Sequence, residues 1–135
     1  MRVMASLRHE RRIAADADTV WRVITRPESI VEWFPGVVSC TMEGSLRTIT
    51  LATGLEMPEE ILVNDALQRR FAYRITSPLY RFHFATIDVI ALGEKDSLCV
   101  YSTSAEPDTL ALLIAGGTVG ALEQIKIFAE AREQE

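Results

Sequence analysis

The sequence predicts an α+β domain: a seven-stranded antiparallel sheet against one long C-terminal helix, with two short helices after the first strand. Three observations lead there. Residues Asp16 to Val38, DADTVWRVITRPESIVEWFPGVV, place apolar side chains at helical spacing and then turn a Trp33-Phe34-Pro35-Gly36 corner. From Val37 to Ser104 the pattern is strand-like, broken repeatedly by turn residues. From Thr109 the apolar period becomes helical. At 135 residues the chain suits one domain, 1–135, with a core of its own.

Leu7 to Ile13 reads as the first strand. Val20, Trp21 and Ile24 give the next helix an apolar face, and Asp16 or Asp18 is suited to cap it. Arg26-Pro27 stops that helix, and Pro27 suits the first turn of the following one. Helices this short need a surface to lie on. Val37 to Glu43 is a strand, Glu43-Gly44-Ser45 a turn, and Leu46 to Ala52 a strand favoured by Thr48, Ile49 and Thr50. Thr53-Gly54-Leu55 breaks the pattern, and Glu59 to Asn64 resumes it. Asp65 to Gln68 turns back. Arg70 to Thr76 alternates, with Phe71, Tyr73 and Ile75 on one side and Arg70 and Arg74 on the other. Ser77-Pro78 is a turn, Phe82 to Leu92 a long strand, Gly93 to Asp96 a loop, and Leu98 to Ser104 the last strand. Tight turns between consecutive strands make the sheet antiparallel.

Leu110, Ile114, Ala121, Ile125 and Phe128 recur at three-, four- or seven-residue steps, opposite Glu123, Gln124, Lys126 and Glu130. A helix of about 25 residues would be about 37 Å long. Gly116, Gly117 and Gly120 lie inside it, each costing roughly 1 kcal/mol relative to Ala. They mark either a bend or close packing against the sheet, or space left for something between helix and sheet.

The formal net charge of −5 is a poor basis for nucleic-acid binding, and Arg8, Arg11 and Arg12 read as a solvated strand face. No unbroken apolar run reaches the roughly 18 residues that span a bilayer, and the N-terminus shows no signal-peptide pattern. Cys40 and Cys99 sit in separate strand-like runs, which suits two buried free thiols in a cytoplasmic protein. His9 and His83 make no metal-binding spacing, and Gly116-Gly117 follows a helix start rather than a strand, so neither a metal nor another cofactor is expected.

Val20-Trp21, the Trp33-to-Gly36 corner, Gly44-Ser45-Leu46-Arg47, Glu59 to Asp65 and Arg70 to Ile75 together resemble the START-like, Bet v 1-like superfamily (SRPBCC), and within it the bacterial polyketide cyclase/dehydrase-like proteins. The resemblance spans nearly the whole chain. It implies a helix-grip fold, with an apolar cavity between sheet and terminal helix and loops at its entrance. Plant abscisic-acid receptors look like distant relatives. Thr53-Gly54-Leu55 is similar to the start of their gate loop, although Glu56 stands where they have Pro. Glu59 falls where they carry a pocket carboxylate and His83 where they carry a pocket Tyr. Val38 replaces their pocket Lys and Ala121 their helix Asn, which argues for a less polar cavity and another ligand.

The resemblance turns His83 inward, together with Ala85, Ile87, Val89 and Ala91, and leaves Phe82, Phe84 and Ile90 as an outer apolar strip. A homodimer contact would cover that strip. His83 is suited to proton transfer near neutral pH, or it is a core histidine hydrogen-bonded to a Tyr. A Glu59 facing the chamber needs a partner, for which His83 and Arg11 are candidates; at the rim it needs none. Tyr73 and Tyr101 offer hydroxyls on apolar rings. Trp33 and Phe34 can line the mouth, although Trp21 and Trp33 suit the core as well. The expected ligand contacts are Trp33, Leu55, Glu59, Ile61, Phe71, Tyr73, His83, Ile87, Tyr101, Ala121 and Ile125.

Two classes of function compete. In the first, the cavity binds a small hydrophobic molecule of lipid, polyketide or aromatic type, gated by Thr53–Pro58 and Ser77–Tyr80. In the second, as in some relatives, the chain is a polyketide cyclase or aromatase, with His83 as general base, Tyr73 or Tyr101 as acid or oxyanion donor, and Glu59 holding the histidine. A protein–protein module using the outer strip is a third reading.

Overall fold

The computed structural model describes residues 3–135. The first strand, β1 (Ala5–Ile13), is followed by α1 (Ala17–Ile24), a 3-10 turn over Pro27–Ser29, and the single-turn α2 (Ile30–Trp33). Six strands come next: β2 (Val37–Glu43), β3 (Leu46–Leu51), β4 (Glu56–Asp65), β5 (Arg70–Ile75), β6 (Phe82–Gly93) and β7 (Asp96–Glu106). The chain then runs through α3 (Asp108–Glu133). The sheet is antiparallel throughout, in the order β1-β7-β6-β5-β4-β3-β2. The expected α+β helix-grip architecture is therefore present, with β1 closing back on β7 so that the first and last strands are neighbours.

Three strands differ from the sequence reading by more than one residue, the first being β1, which begins at Ala5 rather than Leu7. Strand β4 begins at Glu56, because Met57 and Pro58 pair with Ile49 and Thr48 across the β3–β4 hairpin. Strand β7 runs two residues further at each end, its outer residues paired to the ends of β1 and β6.

Neither aspartate caps α1. Asp16 stands at the N-cap without a side-chain bond, and Asp18 pairs with Arg69 at 2.9 Å. Carboxylates from the far end of the chain take that place: Glu133 accepts the Asp16 N–H at 3.1 Å and the Thr19 hydroxyl at 2.9 Å. Glu130 accepts the Ala14 N–H at 2.9 Å.

Alternation fixes the inner face. Phe71, Tyr73 and Ile75 of β5, and His83, Ala85, Ile87 and Val89 of β6, are all buried, whereas Ala91 is exposed near the strand end. Tyr101 is also inward, in register with Ile87 and His9. The main core gathers Trp21, Trp33, Phe71, Ile87, Tyr101, Leu122 and Ile125. Phe82, Phe84 and Ile90 lie on the outer face, each roughly half exposed. Cys99 is buried and Cys40 only partly so; both are free.

The helix glycines serve close packing, but against the corner rather than the sheet. A Cβ on Gly117 would lie 2.8 Å from the Phe34 ring, and one on Gly120 2.8 Å from Pro35. Gly116 has open space around it. By length and composition α3 is apolar enough to cross a membrane, which a search for an unbroken apolar run overlooks because glycines and a threonine interrupt it. In the fold its Ala111, Ala115, Thr118, Ala121, Leu122, Ile125 and Ala129 are buried, and it packs on β1 and β7.

Candidate functional site

Beside the solid core the sheet and α3 leave a cavity of about 380 Å³. The sheet contributes Ile49, Leu51, Met57, Glu59, Tyr73 and Ile75; the corner contributes Phe34, Pro35 and Gly36. The N-terminal half of α3 adds Leu110, Leu113, Ile114 and Gly117. Thr53 and Leu55 from the β3–β4 connection and Leu79 and Tyr80 from the β5–β6 connection border it. Leu55, Leu79 and Leu113 are about half exposed or more, at 48%, 58% and 74%, so the rim of the cavity is apolar and open to solvent.

Glu59 is the one ionisable carboxylate in this lining. It is 2% exposed and faces Arg47, which is wholly buried. The two residues pair directly across the β3–β4 ladder, and Arg47 Nε donates to Glu59 Oε1 at 2.8 Å. Arg47 also donates to the Pro27 carbonyl at 2.9 Å. Its guanidinium lies over the Tyr73 ring at 4.9 Å and the Phe71 ring at 5.6 Å. Burial pushes the Glu59 carboxyl above its usual range, while Arg47 pulls it back. The partner of Glu59 is thus neither His83 nor Arg11; Arg11 instead forms an ion pair with Glu123 of α3. The sequence reading missed Arg47. Its signal was an arginine inside a strand, on the face shared with Ile49.

The Tyr73 and Tyr101 hydroxyls are hydrogen-bonded to each other in the interior. Burial raises both well above the usual phenol value, with the Glu59 charge adding to it, so both are neutral donors. Tyr80 is pushed up to about 12 for the same reasons.

His83 has a different position from the one its face suggests. The β5–β6 ladder stops at Tyr73↔Ala85, and beyond it the strands part. There the Ile75 N–H donates to His83 Nδ1 at 2.9 Å, so the imidazole replaces a missing ladder bond. The ring proton therefore sits on Nε2, which is buried and has no partner among the described residues. Desolvation lowers the His83 pKa to about 4, so the ring is neutral. Its ring stacks near Tyr73 and meets Tyr80 edge-on, centroids 5.7 and 5.5 Å away. The ring is buried against these two tyrosines and is not part of the inner cavity's lining, while the residue borders a separate cleft with Arg74, Arg81, Phe82 and Phe84.

Of the eleven expected contact residues, Leu55, Glu59 and Tyr73 line the cavity. Trp33 is 1% exposed and belongs to the core, its Nε1 donating to Ser29 Oγ at 3.0 Å, while Phe34 takes the mouth position. Phe71, Ile87, Tyr101, Ala121 and Ile125 are core residues behind the cavity wall, and Ile61 packs against that core from the edge. Val38 is 61% exposed, beside a bulge in β2, so it does not occupy a cavity position. Among the described residues no cluster of His, Cys, Asp or Glu could hold a metal ion.

A curved sheet, a gripping helix and a half-open apolar cavity with one buried ion pair define a helix-grip domain with an internal chamber. The chain belongs to the family described as polyketide cyclase/dehydrase and lipid transport, whose pattern matches residues 4–125. No curated protein matches the sequence. Among solved structures, XoxI of Bacillus cereus superposes with a TM-score of 0.83 at 22% identity, covering 90% of this chain and 93% of that one. Norcoclaurine synthase of Thalictrum flavum, with a transition-state analogue, gives 0.78 at 18% identity, covering 96% of each chain. The ZhuI aromatase/cyclase of Streptomyces sp. R1128 gives 0.76 at 18% identity, covering 96% of this chain and 95% of that one. At these identities the likeness is one of fold.

Proposed function

We propose that the protein binds a small, mainly hydrophobic molecule in the chamber between β3–β5 and the N-terminal half of α3. The observation that carries this reading is the chamber itself: about 380 Å³, walled by aliphatic and aromatic side chains, with Glu59 and Tyr hydroxyls as its few polar points. Binding would gain about 25 cal/mol per Å² of apolar surface removed from water. The Thr53–Leu55 turn and the Ser77–Tyr80 turn act as the gate, since both border the mouth. Native mass spectrometry after gentle purification, followed by solvent extraction, tests the reading. A discrete added mass that the extract identifies as an apolar small molecule is expected. A bare polypeptide mass, with no uptake from a panel of apolar compounds, refutes it.

Polyketide cyclisation is the second reading, supported by the family description and by the bonded Tyr73–Tyr101 hydroxyls near Glu59. In this form the acid or oxyanion donor is Tyr73. His83 gains no support as general base, because its Nδ1 lone pair is engaged by Ile75 and its ring lies outside the chamber lining. Turnover lost in Tyr73→Phe but kept in His83→Gln, with ligand affinity retained in both, favours this version of the enzyme.

A further inference from the structure

Resting on the binding reading above, we infer that the chamber selects an uncharged molecule bearing a hydroxyl, an alcohol or phenol, over a carboxylate or an amine of the same carbon skeleton. The charge count comes first. Arg47 and Glu59 are both buried and neutralise each other at 2.8 Å, so the chamber has no net charge for a ligand ion to balance. An added ion of either sign would be desolvated without a counter-charge.

The hydrogen-bonding balance comes second. Glu59 spends Oε1 on Arg47, and its other oxygen has no partner among the described residues although the side chain lines the chamber. That oxygen calls for a donor. The unpartnered Nη2 of Arg47 does not offset it, because Arg47 is wholly buried and is not among the residues that line the chamber. A ligand carboxylate would therefore meet the Glu59 oxygen rather than the guanidinium. On the same wall Tyr73 and Tyr101 share one hydrogen bond between two hydroxyls, which leaves one O–H free to donate. Tyr73 lines the chamber and Tyr101 does not. With Tyr101 donating to Tyr73 within the pair, a ligand hydroxyl gives its proton to Glu59 and accepts one from Tyr73; a carboxylate lacks the first bond and an ammonium the second.

The test compares 1-decanol, decanoate and decylamine at pH 7.5, each below its micelle concentration, in displacing the neutral fluorophore N-phenyl-1-naphthylamine. Decanol should bind at least about tenfold more tightly than either charged compound. In Glu59→Gln, which keeps an oxygen for Arg47 and removes the anion, the preference over decanoate should collapse. The wild-type ranking stands as a test even if that variant fails to fold. Equal affinities, or decanoate the tightest, overturn the ligand class while leaving small-molecule binding intact. If the fluorophore and all three decyl compounds fail to bind, the chamber reading falls together with this one.

Discussion

The two halves of α3 meet different interiors. Toward its C-terminus, Ala121, Leu122, Ile125 and Ala129 are wholly buried in the main core, and Glu130 and Glu133 are bonded to Ala14 in the β1–α1 connection and to the start of α1. Toward its N-terminus, the small Ala111 joins Ala5, Ile75, Tyr80 and Ala105 in a second, smaller cluster against which Leu110 and Ile114 pack only partly buried, while Leu113 stands 74% exposed at the chamber rim. The corner at Phe34 and Pro35 separates the two, pressed against Gly117 and Gly120. One helix thus carries both a sealed core and an open chamber. The difference lies in where large side chains fill the space under the helix and where they leave it open.

Removing the cation behind the chamber should give the largest effect. Arg47→Ala leaves Glu59 buried without its partner and is expected to cost about 3–5 kcal/mol. Replacing both residues by apolar ones of similar size, Arg47→Met with Glu59→Leu, should recover most of that loss. Urea denaturation of the two variants checks it; equal destabilisation would mean the pair is not a coupled unit.

Next comes the direct contrast between the halves. Ile125→Ala should cost about 2–5 kcal/mol, because it opens a hole in the sealed core. Leu113→Ala should change stability by less than about 0.5 kcal/mol, as its side chain is mostly in water. Similar midpoints for both would erase the distinction.

A smaller effect concerns pH. His83 has a pKa near 4 folded against an ordinary 6.5, so its stabilisation is complete above 6.5 and is lost as pH falls toward 4. That amounts to roughly 3 kcal/mol at most. Urea midpoints measured from pH 7 to 4 should fall steeply in the wild type and more gently in His83→Gln. Smallest are the glycines. Gly120→Ala forces a Cβ onto the stiff Pro35 ring and should cost about 1–3 kcal/mol, whereas Gly116→Ala should stabilise by up to about 1 kcal/mol. Thermal melts of the pair would separate them.

The strand pattern was readable wherever alternation was clean. Phe71, Tyr73 and Ile75 against Arg70 and Arg74 set the inner face of β5, and the period change at Thr109 placed α3 within one residue. The site was less readable because it depends on register. Met57 and Pro58 look like loop residues, so the start of β4 was placed late, and nothing in the sequence then aligned Arg47 with Glu59. His83 has the expected inward face, but its bond to the Ile75 N–H was not legible, since the parting of β5 and β6 has no local sequence mark. The bulge beside Val38 likewise turns a residue outward against simple alternation.

The contacts of β1 and α1 also bear on how the chain is made. Among the described residues strand β1 has β7 as its only sheet neighbour, and the start of α1 is held by Glu133, so residues 5–24 emerge from the ribosome long before residues 96–133 that complete them. This early segment must wait, unpaired, until residues 96–133 have been made. Nascent chains stalled at Glu94 should expose it to added protease, and those extended far enough to release Glu133 from the exit tunnel should not.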